Sequence, residues 1–210
     1  MQRVTVIGVC GPSGSGKSTL CRLLASQLET SSTVVDVISM DRYFRPTTQL
    51  PVHPKWGVNF ETPEGIDVDK FMRDTVARLR QLATVSSSSA ETKTTEAFLI
   101  LEGFLLLYFP CVVDLCSVRV FLDAEQAVCC ERRCRRSWVP AEENEAFREF
   151  YDGLVWSYYM RYHALQLRNM QRTLDPDGQQ TSQVRTLILN ASKQSPEELC
   201  AKVLATTAAT

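Results

Sequence analysis

Histidine is nearly missing from this chain, and its cysteines are not arranged to bind metal. His53 and His163 lie far apart, and no C-x-x-C pair occurs among Cys10, Cys21, Cys111, Cys116, Cys129, Cys130, Cys134 and Cys200. The ligand spacing of a structural zinc site is therefore absent. Free, mostly buried thiols in a reducing compartment are the expected state. A charge surplus is also lacking: 23 Lys+Arg face 24 Asp+Glu, a formal charge of −1. No overall basic field points to nucleic acid or to an anionic membrane. No uninterrupted apolar run approaches the roughly 18 residues of a membrane span. The opening run MQRVTVIGV is too short for a signal peptide and passes into a glycine-rich turn, so it reads as a buried strand. There is no internal repeat. A soluble intracellular protein, cytoplasmic or also nuclear, is expected, with no nucleic-acid, membrane or protein partner implied.

What is present fits one globular domain spanning 1–210, with 44% hydrophobic residues. RVTVIGV (3–9), TVVDVIS (33–39), AFLILEG (97–103), VRVFLD (118–123) and VRTLIL (184–189) read as strands. Several are almost continuously apolar, as strands covered on both faces are. Helical patterns fill the gaps: Ser18–Glu29, Asp67–Leu82, Ala124–Arg136, a long helix within Asp152–Met170, and Pro196–Ala205. The alternation predicts an open, mainly parallel five-stranded α/β sheet with helices on both faces. Thr84–Glu96 is polar and low in complexity, a solvated loop.

The strongest motif is GPSGSGKST after the first strand, which fits G-x-x-x-x-G-K-[ST] with Gly11, Gly16, Lys17 and Ser18. In such a loop glycines let backbone N–H groups surround a β-phosphate, and the next helix offers its positive N-terminal end. Lys17 supplies charge to the β- and γ-phosphates, and Ser18 offers a hydroxyl to Mg²⁺. A nucleoside triphosphate with magnesium is the expected ligand. A guanine-nucleotide switch is disfavoured, because N-K-x-D is absent and the D-x-x-G at Asp175–Gly178 lies in a turn-like DPDG context.

A phosphate loop does not name the phosphate acceptor. A small-molecule kinase needs in addition a base for the acceptor hydroxyl, an acceptor-binding loop, and arginines that follow the moving charge. In SMDRYFRP, Asp41 comes just after the second strand, where strand ends line the crevice of open α/β sheets. It could take the acceptor proton, touch Mg²⁺ through water, or do both; a turn-capping aspartate is the plainer alternative. Glu102 ends the third strand and could hold magnesium directly or through water, or simply leave the strand for solvent. ERRCRRSW (131–138) carries four arginines on a helix opened by Asp123 and Gln126, an arrangement resembling a capping box. Arg132 and Arg136 stack four apart, while Glu131 can pair with Arg135. Arg132, Arg133 and Arg136 are thus assigned to phosphates or acceptor, on a lid spanning about 124–144. Trp138 could be core or could stack on a flat ligand, and Phe60 beside Glu61 in VNFETPEG poses the same choice.

Taken in order, the phosphate loop, MDRYFRP, NFETPEGID, LILEGFLLL, RRCRRSW and FYDGLVWSYYMRY resemble the nicotinamide riboside kinases, a branch of the uridine-kinase-like P-loop kinases. The resemblance covers nearly the whole chain. It implies that ATP lies over Gly11, Pro12, Ser13, Gly14, Ser15, Gly16, Lys17, Ser18 and Thr19, with Arg132, Arg136 and Lys193 as further nucleotide contacts. It implies Asp41 as catalytic base alongside Lys17, and Ser18, Asp41 and Glu102 around magnesium. The nucleoside would lie on an acceptor loop of about 41–66, touched by Asp41, Tyr43, Phe44, Phe60, Glu61, Arg133, Trp138 and Val139. In that reading Phe60 and Trp138 sandwich the base and Glu61 grips the ribose diol. Two features depart from the family pattern: Glu61 replaces a usual aspartate, and Phe60 and Trp138 replace tyrosines, which keeps two stacking faces without their hydroxyls. The implied activity is ATP-dependent 5′-phosphorylation of nicotinamide riboside. A uridine/cytidine kinase and a noncatalytic nucleotide-binding protein are the alternatives.

Overall fold

A computed structural model describes residues 4–85, 96–136, 144–172 and 184–208. The chain runs from β1 (Val4–Cys10) into α1 (Lys17–Leu28) and β2 (Thr33–Ser39). A one-turn 3₁₀ helix, Met40–Arg42, leads to a short hairpin of β3 (Val52–His53) and β4 (Gly57–Val58). Then come α2 (Val68–Val85), β5 (Glu96–Gly103), α3 (Pro110–Val113), β6 (Val118–Asp123), α4 (Gln126–Cys134), α5 (Asn144–Phe150), α6 (Ser157–Met170), β7 (Arg185–Asn190) and α7 (Pro196–Ala208). The five strands expected from apolar runs form one parallel sheet in the order β2-β5-β1-β6-β7.

The period-two alternation of β1 divides the interior in two. Ile7 and Val9 face a core built with Leu20 and Leu24 of α1, Cys129 of α4 and Val203 of α7. Val6 and Cys10 face the other, with Phe71 of α2, Val112 of α3 and Met170 of α6. Seven of the eight residues of β5 are buried, which is why it reads as an unbroken apolar run. All eight cysteines are free and only Cys111 is exposed. Burial pushes the Cys10 thiol up to about 11 and the Cys116 thiol up to about 12, so both stay protonated and unreactive. No helix among the described residues is long and apolar enough to cross a membrane.

Three local expectations need correction. The β3–β4 hairpin was not anticipated, because two-residue strands carry no periodic signal. The helix bearing the arginines is shorter than expected, Gln126–Cys134, and has no capping box. Asp123 stays in β6, paired with Asn190, and its carbonyl accepts the Ala191 N–H at 2.7 Å. Glu125 takes the cap position, its N–H donating to Ser192 Oγ at 2.8 Å, while Gln126 Nε2 donates to Asp152 Oδ1 at 2.8 Å. Strand pairing has displaced the cap. Finally, the long helix begins earlier than expected. α5 continues through a π-helical segment, Tyr151–Trp156, into α6.

One charged side chain ties the strands to the rim of the second core. Arg119 of β6 is fully buried. Its guanidinium donates to the carbonyls of Val113 (3.1 Å), Cys116 (3.2 Å), Met170 (3.0 Å) and Arg172. It thereby joins the turn before β6 to the C-terminal end of α6. Each carbonyl left without a donor costs about 1–3 kcal/mol. Arg119→Met is therefore expected to destabilise by about 3 kcal/mol or more, a fall in Tm of roughly 6–12 °C for a chain of this size. A calorimetric shift of only about 1 °C would mean that water satisfies these carbonyls instead.

Candidate active site

Strand register brings several of the residues expected at the site to one edge. Val9 of β1 pairs with Glu102 of β5, and Glu102 pairs with Ser39 of β2. The loop after β1, the Glu102 carboxylate and the turn holding Asp41 therefore share the carboxyl edge of the sheet, where open α/β folds bind ligands.

The loop after β1 has the backbone a phosphate cradle needs. Gly16 adopts φ 97°, and a Cβ there would meet no atom within 4 Å, so the space over the loop stays open. Gly14, at φ 95°, serves a different end: a Cβ would lie 2.4 Å from the Cys129 carbonyl oxygen, so the loop packs directly on the backbone of α4. Lys17 is buried at the first turn of α1 and its Nζ donates to the Pro12 carbonyl at 3.0 Å. This curls the lysine over the loop at the positive end of the helix. From behind, the fully buried Tyr151 donates its hydroxyl to the Ser13 carbonyl at 2.8 Å.

Two pockets flank the loop. The first is lined by Ser13, Gly14 and Gly16 to Thr19 together with Asp41, Arg133 and Arg136. The second is lined by Ser15, Gly16 and Thr19 with Arg132, Ala191, Gln194 and Pro196. The arginines are thus divided between the two sides. Arg132 donates to the Ala191 carbonyl at 3.0 Å and to the Ser15 carbonyl at 3.5 Å. Arg133 donates to Ser13 Oγ. Glu131 pairs with Arg135 at 3.0 Å, as the spacing predicts, and also with Arg148 of α5. Lys193 is exposed, and its backbone N–H donates to Asn190 Oδ1 at 3.0 Å. Its neighbour Gln194 lines the pocket instead. Sequence reading missed Ala191, Gln194 and Pro196, although their place after the last strand is the signal that could have found them.

The plainer alternatives for the two carboxylates do not hold. Asp41 caps no turn: among the described residues its side chain takes no hydrogen bond, and it faces the phosphate-side pocket. Glu102 does not leave for solvent. It is only 8% exposed, and its Oε2 is buried without a hydrogen-bond partner among the described residues. A buried, unpartnered carboxylate oxygen suits a cation. No three His, Cys, Asp or Glu side chains among the described residues converge into a closed cage. A hydroxyl from Ser18 and two carboxylates match the open set that Mg²⁺ shares with phosphates.

The segment expected to bind the acceptor, about 41–66, closes on itself. Phe44 bridges Ile66, the Arg45 N–H donates to Gly65 and the Asp67 N–H donates to Tyr43, both at 2.8 Å. Buried Asn59 receives the Glu61 N–H on Oδ1 at 2.9 Å, while its own N–H donates to the Pro51 carbonyl at 2.8 Å. Phe60 is 37% exposed, its ring edge-on to Phe44 at 5.2 Å. Burial pushes the Glu61 carboxyl up to about 7; Arg133 pulls it down, Asp41 raises it and Lys17 lowers it. Arg133, Asp41 and Lys17, whose charges act on Glu61, also line the phosphate-side pocket. Tyr43 goes elsewhere, its ring edge-on to Phe71 at 5.2 Å beneath Lys70, with its hydroxyl toward Asp74 of α2. Trp138 and Val139 lie outside the described residues, as does the rest of 137–143 within the expected lid.

The chain is similar to several known kinases. Mouse nicotinamide riboside kinase 2 is 29% identical over 203 residues, covering 95% of this chain and 93% of its own. A uridine kinase from Shewanella amazonensis is 28% identical over 151 residues, covering 64% and 69%. An unliganded sugar kinase from Janibacter sp. shares the fold with a TM-score of 0.50 at 16% identity, covering 97% of this chain and 94% of its own. Residues 6–140 match the family model described as phosphoribulokinase/uridine kinase, and the chain belongs to that family.

Proposed function

We propose that the chain transfers the γ-phosphoryl group of ATP to the 5′-hydroxyl of nicotinamide riboside, giving the mononucleotide that feeds NAD biosynthesis; nicotinic acid riboside is a second candidate acceptor. The observation that carries this reading is the Phe60–Glu61 pair, an exposed ring beside a carboxylate that feels the charges of Arg133, Asp41 and Lys17, three residues that line the phosphate-side pocket. A carboxylate accepts both hydroxyls of a ribose diol, and an aromatic face attracts a cationic nicotinamide ring. Uracil is neutral and would need hydrogen bonds to its edge. The similarity to both nicotinamide riboside kinases and a uridine kinase makes pyrimidine nucleosides the necessary controls.

In this mechanism the loop N–H groups and Lys17 hold the β- and γ-phosphates, and Arg132 steadies the nucleotide on the other side. Asp41, whose side chain takes no hydrogen bond among the described residues, accepts the 5′-hydroxyl proton as the acceptor oxygen approaches in line. Arg133 and Arg136 meet the charge on the moving phosphoryl oxygens. Ser18, Asp41 and Glu102 would hold Mg²⁺, which when bound neutralises charge on the β- and γ-phosphates.

Coupled ADP release should be strong with nicotinamide riboside and weak with uridine and cytidine. Preference for a pyrimidine would overturn the acceptor, and silence on every nucleoside despite ATP binding would overturn the kinase reading. Asp41→Asn should reduce kcat by about 10³-fold or more while leaving ATP affinity within about threefold; near-normal turnover would remove Asp41 from the base role. Glu61 supplies a pH test. Its raised carboxyl is charged above pH 7 and protonated below it, and the protonated form offers fewer acceptors to the diol. Riboside affinity for the nucleotide-free protein should fall about tenfold from pH 8 to pH 6. Titration calorimetry on Glu61→Gln should show weak, pH-independent binding; an unchanged pH slope in that variant would exclude Glu61 as the diol acceptor.

A further inference from the structure

The hairpin that precedes Phe60 and Glu61 is too small to hold itself. β3 and β4 have two residues each, Val52 is 73% exposed and Val58 is 37% exposed. An isolated two-stranded hairpin is marginal even when longer. Its tip is instead fastened to the helical rod that follows the arginine helix. Lys55 pairs with Glu149 of α5 and lies 4.4 Å over the Trp56 ring. Trp56 meets Phe150 edge-on at 5.7 Å. Its indole also covers Gly153 so closely that a Cβ there would lie 3.2 Å from Cζ2 and 3.3 Å from Nε1. Gly153 belongs to the π-helical segment Tyr151–Trp156, the same segment whose Tyr151 hydroxyl holds the Ser13 carbonyl of the phosphate loop at 2.8 Å. Such insertions in helices recur at functional sites because the extra residue re-aims neighbouring side chains. Here Tyr151 serves the phosphate loop and Gly153, two residues on, receives the acceptor hairpin.

We propose that Trp56 seated on Gly153 is a positioning joint, which sets the acceptor-binding pair Phe60–Glu61 at its working distance from the phosphate loop through one rigid π-helical segment. The assignment rests on the acceptor role given to that pair above. Neither residue touches the reacting groups. The path from joint to site is short: from Trp56 through β4 to Asn59, whose side chain fixes the Glu61 N–H and whose backbone is pinned to Pro51.

A small added volume tests this, because its effects on stability and on positioning have opposite signs. Alanine is favoured over glycine inside a helix, so Gly153→Ala should leave Tm unchanged or raise it. The methyl group would nevertheless displace the indole by a few tenths of an ångström and the hairpin with it. The acceptor KM should rise about fivefold or more, with the ATP KM within about twofold of wild type. Adding Trp56→Phe to Gly153→Ala makes room for the methyl group, and the acceptor KM should return to within about twofold of the Trp56→Phe single variant. Equal rises in both KM values, a loss that tracks a lowered Tm, or simple additivity in the double variant would overturn the joint. Amide hydrogen exchange without any nucleoside provides the arm that does not depend on the acceptor's identity. Gly153→Ala should speed exchange at Asn59 and Glu61 while leaving β1 and β5 unchanged, and unaltered rates at those two amides would also overturn it. Should no nucleoside be phosphorylated by the wild-type protein, the acceptor reading falls and the exchange result alone decides whether the joint exists.

Discussion

Parallel pairing of β1, β5 and β2 is the constraint on which the rest depends. The row Val9, Glu102 and Ser39 fixes where three chain segments leave the sheet. A one-residue slip in this register would turn each side chain to the opposite face of the sheet. Glu102 would then lose its place beside α1, and Asp41 would no longer face the loop. Two of the three strands in that row, β1 and β5, are largely buried, so the hydrophobic core and the phosphate site are two expressions of one register.

Above that edge, the segment from Tyr43 to Asp67 follows a different principle. It has little core of its own and relies on short polar ties: the bridge between Phe44 and Ile66, the Asn59 side chain, and the ion pair from Lys55 to Glu149. Such ties fix geometry without burying much apolar surface. This suits a segment that must present an exposed ring and an only partly screened carboxylate. The raised protonation range of Glu61 is the electrostatic cost of holding an acid there with little water around it.

Much of this was legible in the sequence. The five strands could be read because buried parallel strands leave continuous apolar runs, and the phosphate loop because its glycines and lysine have no cheaper substitute. The placement of Asp41 and Glu102 at the carboxyl edge of the sheet could be read from their position at strand ends alone. Other features could not be read locally. The hairpin has strands too short to show a period, and a capping box at Asp123 looked plausible until strand pairing with β7 claimed that residue. Tyr43 lies within a motif that resembles the family's acceptor loop, yet its ring is drawn to Phe71 and Lys70 of α2, a tertiary preference invisible in a linear string. Tyr151 and Gly153 stood inside FYDGLVW as pattern; only the fold shows that one serves the phosphate loop and the other seats a tryptophan.

The close packing of Gly14 on the Cys129 carbonyl has a consequence for the cations above it. Because loop and helix share that contact, the two arginines on α4 are already anchored to the loop itself, Arg132 through the Ser15 carbonyl and Arg133 through the Ser13 hydroxyl. A free arginine side chain forfeits about 2 kcal/mol of rotamer entropy when it is immobilised. Here much of that loss falls on folding. These two guanidinium groups are preorganised fixtures of the cleft, so an anion entering it would meet positive charge that need not be gathered from solvent.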